Sequence, residues 1–150
     1  NRMPEVEILP ACAHHGVGIT SYSPVARGVL TGKYLPGQPP AEGSRAARGD
    51  RRIAQTEWRA ESLEIAQTLH KQVRERGVTL AQFATAWVLA HRAVDSVIAG
   101  PRTLAQWQDY APALGYALTE EDEALVDSLV APGHPSTPGY TDPAYPLDGR

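Results

Sequence analysis

Two short apolar runs limit what this chain can fold into. Val17-Gly18-Ile19-Thr20-Ser21 and Val94-Asp95-Ser96-Val97-Ile98-Ala99-Gly100 have the length and glycine boundaries of strands. Between them lie two helical patterns. Leu63, Ala66, Leu69 and Val73 mark one face of residues 61–76, which Gly77 ends. Thr79-Leu80-Ala81-Gln82 has the form of a capping box. It opens a helix running to His91, with Leu80, Phe83, Ala84, Trp87 and Val88 at core spacing. Strands alternating with helices predict a parallel pair with a right-handed crossover. A parallel sheet must be covered on both faces, and two strands cannot make one. The expectation is therefore part of a larger α/β domain whose remaining strands precede Asn1.

The other segments fit around this unit. Residues 4–15 carry Val6, Ile8, Leu9 and Cys12 on a helical face closed by Gly16. Residues 35–52, rich in proline and glycine, read as a long excursion of the kind that forms a lid or binding loop. A helix over 103–114 opens on Thr103-Leu104-Ala105-Gln106, a second capping box that would use Gln106 locally. Thr119-Glu120-Glu121-Asp122 caps a last helix through Val130. Residues 131–150 form an irregular wrapping tail.

Composition removes several function classes. A net charge of −3 gives no reason to invoke nucleic acid or an anionic membrane. No apolar stretch approaches the roughly 20 residues of a membrane span. Cys12 is the sole cysteine, so no internal disulfide can form, and a reducing cytoplasm fits best. Cys12, His14 and His15 crowd one turn with no second cluster, which reads as a helix end and not a metal site.

The first strand runs into Ser21-Tyr22-Ser23-Pro24-Val25-Ala26-Arg27-Gly28-Val29-Leu30-Thr31-Gly32-Lys33-Tyr34. Loops after the carboxyl ends of strands are where α/β sheets hold ligands. Arg27, Lys33 and the N–H groups freed at Gly28 and Gly32 suit a phosphate, and Tyr22 offers a flat face for a ring. The segment is not a P-loop. Three residues separate Gly28 from Gly32 where four are required, and Tyr34 replaces the magnesium-binding hydroxyl. Taken alone, the loop is more simply a surface turn with two solvated cations.

Combined with Ser96-Val97-Ile98-Ala99-Gly100-Pro101-Arg102, Gln106 and Asp109, the stretch from Tyr22 to Tyr34 resembles the aldo-keto reductases. The branch it is most similar to holds bacterial enzymes related to potassium-channel β-subunits. The similarity covers nearly the whole chain, from Asn1-Arg2 to the tail between Asp142-Pro143 and Gly149-Arg150. It implies the C-terminal part of a (β/α)₈ TIM barrel, with the two runs as strands seven and eight, incomplete as it stands. Phosphate sites in such barrels gather after those strands.

The resemblance also implies NADP(H) as cofactor. Tyr22 matches the residue that stacks on nicotinamide, and Ser23, Pro24, Val25, Ala26, Arg27 and Gly28 match the pyrophosphate segment, with Lys33 nearby. Ser44-Arg45 matches the part that closes over the phosphates. Gly100, Arg102, Gln106 and Asp109 match the adenosine end. Arg102, at a helix start, could bind a 2′-phosphate bidentately, which favours NADP over NAD. Tyr110 stands where the family often has an asparagine against adenine. The family's catalytic Asp, Tyr, Lys and His come from the first half of the barrel, so no catalytic residue is assigned to this chain.

The expected function is the NADPH-binding half of an oxidoreductase that reduces aldehydes or ketones to alcohols by hydride transfer. Its partners would be a small carbonyl substrate and the missing N-terminal half of the barrel. The chain alone would be inactive. Two alternatives are an NADP(H)-binding regulatory module similar to the β-subunits and an inactive barrel fragment.

Overall fold

The structure, a computed structural model, describes residues 1–146. The last four residues, with the Gly149-Arg150 end of the expected tail, lie outside the described residues. In chain order the elements are α1 (Ile8–His15), β1 (Thr20–Tyr22), α2 (Arg51–Thr56), α3 (Ala60–Arg74), α4 (Leu80–Ala90), β2 (Ser96–Ile98), α5 (Leu104–Tyr110) and α6 (Glu120–Leu129).

The two apolar runs do pair in parallel, with Thr20 opposite Ser96, Ser21 opposite Val97 and Tyr22 opposite Ile98. Each strand is shorter than its run. The carboxylate of Asp95 takes the N–H of Ile19 at 2.6 Å, so a side chain stands where a further ladder bond would begin. Both strands alternate exposed, half-buried, exposed, so the sheet is not where the core lies.

The core lies between the helices. Leu63, Ala66, Leu69 and Val73 of α3 meet Leu80 and Phe83 of α4, and Val29, Tyr34 and Ile53 close the cluster. Phe83 packs edge-on to Tyr116 and Tyr34 edge-on to Trp58, at centroid distances of 6.1 and 5.0 Å. Each such side chain fully buried stabilises the fold by about 1.5–3 kcal/mol. Gly77, in the left-handed conformation with φ +73°, releases the chain from α3. The Thr79 hydroxyl and the Gln82 side chain then close the expected capping box on α4.

Other boundaries move. The predicted helix over 4–15 breaks into a 3₁₀ turn, Met3–Glu5, and α1. Of the proposed face Leu9 is buried and Cys12 half-buried, while Val6 and Ile8 are 69% and 60% exposed. The excursion expected over 35–52 ends at Asp50, whose carboxylate accepts the N–H of Ile53 at 2.9 Å and starts α2. The helix over 103–114 stops at Tyr110, and a 3₁₀ segment, Ala111–Gly115, carries the chain past Pro112.

Two buried ionic groups tie the ends together. Arg2 donates to Glu5, to Asp127 at 2.6 Å and to the carbonyl of Val130 at 2.8 Å. Asp122 is fully buried and accepts from Arg76, the Tyr116 hydroxyl and the N–H of Thr119. The tail wraps as expected over its described part: Ser136 and Thr137 accept from Arg59, and Asp142 pairs with Arg52.

Candidate functional site

Parallel pairing puts the carboxyl ends of β1 and β2 at the same edge of the sheet. The N–H of Ser23 donates to the carbonyl of Ile98 at 3.3 Å, so the strands part only after Tyr22. The loop after β1 and the segment Ala99–Arg102 therefore leave side by side. Tyr22 and Ile98 lie on one face of the sheet, 72% and 60% exposed, next to Thr20 and Ser96, whose hydroxyls meet at 2.8 Å. A flat apolar patch with a tyrosine ring results.

The backbone after β1 is unusual. Ser23, Ala26 and Arg27 have φ of 56°, 46° and 54°, and Gly28 follows at 98°. Each non-glycine residue held there costs on the order of 1 kcal/mol. Packing holds it: Pro24, Val25, Gly28 and Val29 are buried. Local bonds hold it too, with Ala26 N–H to Ser23 O at 2.9 Å, Gly28 N–H to Val25 O at 2.8 Å and the Thr31 hydroxyl to Gly28 O at 2.8 Å. From α3 the Gln67 amide donates to the carbonyls of Gly32 and Tyr34, each at 2.9 Å. The result is a rigid, tightly curled strip of main chain. Tyr34 belongs to the core, 1% exposed, and its hydroxyl accepts the Ala46 N–H.

The charged candidates divide by partner. Arg27 lies back on α2, its Nε donating to the Thr56 hydroxyl at 3.2 Å, with Glu57 at 3.9 Å. Lys33 folds over the loop, its ammonium 5.1 Å from the Tyr34 ring centre and close over Gly28. Arg45 pairs with Asp50 at 2.7 Å, a contact that also holds the α2 cap. Backbone donation from Ile53 and then the Arg45 contact hold the Asp50 carboxyl below its ordinary range.

At the β2 end, Gly100 faces open space and Arg102 is exposed, with no ion pair among the described residues. Gln106 does not close the expected capping box. Its Oε1 accepts the N–H of Arg102 at 2.6 Å, one residue further back, while the Thr103 hydroxyl alone caps Gln106 N–H. Asp109 accepts the Thr79 hydroxyl at 2.7 Å, tying α5 to the α4 cap. Tyr110 is half-buried, and burial followed by the charge of Asp109 raises its pKa.

Thr56 on α2 and Glu57, which carry no sequence signal of their own, matter here, and so does Arg52, which in the sequence is one of a crowd of solvated arginines. The readable signal was Asp50 three residues before Ile53, a helix start hidden among Arg45, Arg48, Arg51, Arg52 and Arg59. Tyr140 of the tail turns back onto α2. Its hydroxyl donates to Gln55 O at 3.1 Å and Arg59 lies 3.8 Å over its ring. Tyr145 is 76% exposed.

The model of the Aldo/keto reductase family matches residues 1–131. The chain is 38% identical over 130 residues to a probable voltage-gated potassium channel subunit beta of Arabidopsis thaliana, covering 83% of this chain and 40% of that protein. It is 32% identical over 133 residues to an L-glyceraldehyde 3-phosphate reductase of Escherichia coli, covering 84% and 37%. Among solved structures it is similar to a glycerol dehydrogenase from Gluconobacter oxydans, with a TM-score of 0.67 and 25% identity over 94% of this chain and 43% of that one. The chain thus spans about 40% of the curated relatives it matches.

Proposed function

This chain belongs to the aldo/keto reductase family, and from that premise we propose that it is the cofactor-binding, C-terminal part of a (β/α)₈ reductase. Members of the family are NAD(P)-dependent oxidoreductases. The observation that carries the proposal is the parallel register of β1 and β2, which brings residues 23–28 and 100–106 to one edge. An extended dinucleotide needs a ring platform, a curled main-chain strip and a cation beyond it. Tyr22, the left-handed turn at 26–28 and Arg102 supply these in that order.

The residues present fit such a group. Tyr22 and Arg102 are exposed, and the strip's own hydrogen bonds and the Gln67 amide hold its curl without a ligand, so little ordering entropy opposes binding. Tyr22 would hold the nicotinamide, the 23–28 strip and Lys33 the pyrophosphate, and Arg102 the 2′-phosphate of NADPH. When bound, the cofactor supplies the hydride that reduces an aldehyde or ketone. This chain orients it, and the proton donor comes from the other part of the barrel.

Arg102→Ala in the full-length protein tests the assignment. NADPH binding should weaken by about 1–3 kcal/mol, the worth of a lost charged hydrogen bond, with NADH nearly unaffected. Equal weakening of both would remove Arg102 from the 2′-phosphate. A second reading, a dinucleotide-holding regulatory subunit, draws on the 38% identity to the channel subunit. Turnover of NADPH with an aldehyde by the full-length protein separates the two.

A further inference from the structure

Arg27 cannot be the free phosphate-grasping cation that its place in the loop suggests. Its side chain is only 18% exposed, and its Nε is fixed on Thr56. The Thr56 hydroxyl is itself fully committed. Its proton goes to the carbonyl of Arg52 at 2.6 Å, which leaves a lone pair as acceptor for Arg27. Thr56 is buried, so no water replaces it. With Nε anchored, the two terminal nitrogens of Arg27 hydrogen-bond to none of the described residues and remain as an uncommitted fork.

The same helix turn is gripped from the other side. Arg52 forms a two-point pair with Asp142 of the tail, at 2.5 and 3.1 Å, and also donates to Gln55 at 3.2 Å. Tyr140 adds its bond to Gln55 O, and Arg59 holds Ser136 and Thr137. The tail is thus bolted to α2 at residues 52 and 55, and to Arg59 just before α3, on either side of Thr56. An uninterrupted path runs from Asp142 through Arg52 and Thr56 to Arg27.

We propose that Thr56 is the positioning residue for Arg27, and that the Arg52–Asp142 pair ties this positioning to the C-terminal strap at 135–146. The strap and the strip after β1 then act as one unit, and displacing the strap lowers affinity for a dinucleotide phosphate without touching it. This rests on the cofactor reading above, and the test separates the two.

The test uses the full-length protein, with the Arg27 Nε–H followed by ¹⁵N-arginine NMR and NADPH affinity by fluorescence. Wild type should show an Nε–H protected from solvent exchange. Thr56→Val should lose that protection and weaken NADPH roughly tenfold, and Thr56→Ser should restore both. Asp142→Asn, a change at a part-exposed pair, should accelerate Nε–H exchange and weaken NADPH about threefold. Lost protection with unchanged NADPH affinity in Thr56→Val overturns the positioning role. Wild-type behaviour of Asp142→Asn in both measurements overturns the link to the strap. A wild type that binds no dinucleotide defeats the cofactor reading, while the Nε–H data still decide the Arg27–Thr56 contact.

Discussion

Gly32→Ala perturbs the loop at its tightest point. Gly32 has φ +76°, and a Cβ built on it would lie 2.5 Å from Nδ1 and 2.6 Å from Cγ of His70, where ordinary contact begins at 3.4 Å. Two costs follow. The left-handed backbone penalises an L-residue by about 1–2 kcal/mol. Pushing the imidazole aside costs a further 1–3 kcal/mol, roughly the range for overpacking a filled site. Movement also threatens the Gln67 bond to the Gly32 carbonyl. Together the substitution should cost about 2–5 kcal/mol, a large share of the 5–15 kcal/mol that holds a typical domain. Urea unfolding of the full-length protein measures this. The diagnostic variant is Gly32→Ala with His70→Ala, which removes the obstacle but not the backbone strain, so about half the loss should return. A loss below about 0.5 kcal/mol, against the 1–2 expected from backbone conformation alone, would refute the geometry. So would a double variant no better than the single one.

Ala26→Gly should raise stability by up to about 1 kcal/mol, because φ 46° suits glycine, while loosening the strip and weakening NADPH binding measured by fluorescence. Thr79→Ala removes the α4 cap and frees Asp109, so thermal unfolding should show a loss of about 1–2 kcal/mol. Asp122→Asn should cost about 2–3 kcal/mol in urea unfolding, below the figure for a fully buried pair because Arg76 is 39% exposed. The acid limb should change as well. Burial opposes the Asp122 charge, but the Thr119 N–H, the Tyr116 hydroxyl and Arg76 together lower its pKa. A depressed folded value stabilises above the unfolded value of about 3.9 and is lost as pH falls through the folded one. Asp122→Asn should flatten that fall below about pH 4, as read by circular dichroism.

The helical half of the fold was legible because its signals are local. Leu63, Ala66, Leu69 and Val73 at helical spacing, Gly77 after them and the Thr79 box decide α3 and α4 with little help from elsewhere. Long-range partners decided the rest. Asp95 shortens the strands by capturing the Ile19 N–H, seventy-six positions away in sequence. Buried Arg2 and Asp122 read as ordinary surface charges until the segments that clamp them are in place. Helix α2 was hidden because arginines dominate the segment and only Ile53 and Thr56 turn inward.

The same logic governs the candidate site. In sequence, Arg27, Lys33, Arg45 and Arg102 are equivalent cations near glycines. Partners separate them. Arg45 is neutralised by Asp50 beside a helix cap, so it serves the loop's own shape first. Arg27 is held by its Nε and presents a fork. Lys33 arches over Gly28, 3.1 Å from where a Cβ would sit, but its flexible end can yield, so it is the φ of 98° that explains the glycine without invoking a ligand. Arg102 and Lys33 are both exposed and without an ion pair among the described residues, but the Lys33 ammonium rests 5.1 Å from the Tyr34 ring centre, whereas Gln106 fixes the backbone of Arg102 and not its side chain. A side chain whose main chain is pinned while its charge stays unpaired loses little entropy on meeting a phosphate. Discrimination between NADPH and NADH should therefore concentrate at Arg102, with Arg27 and Lys33 contributing affinity common to both.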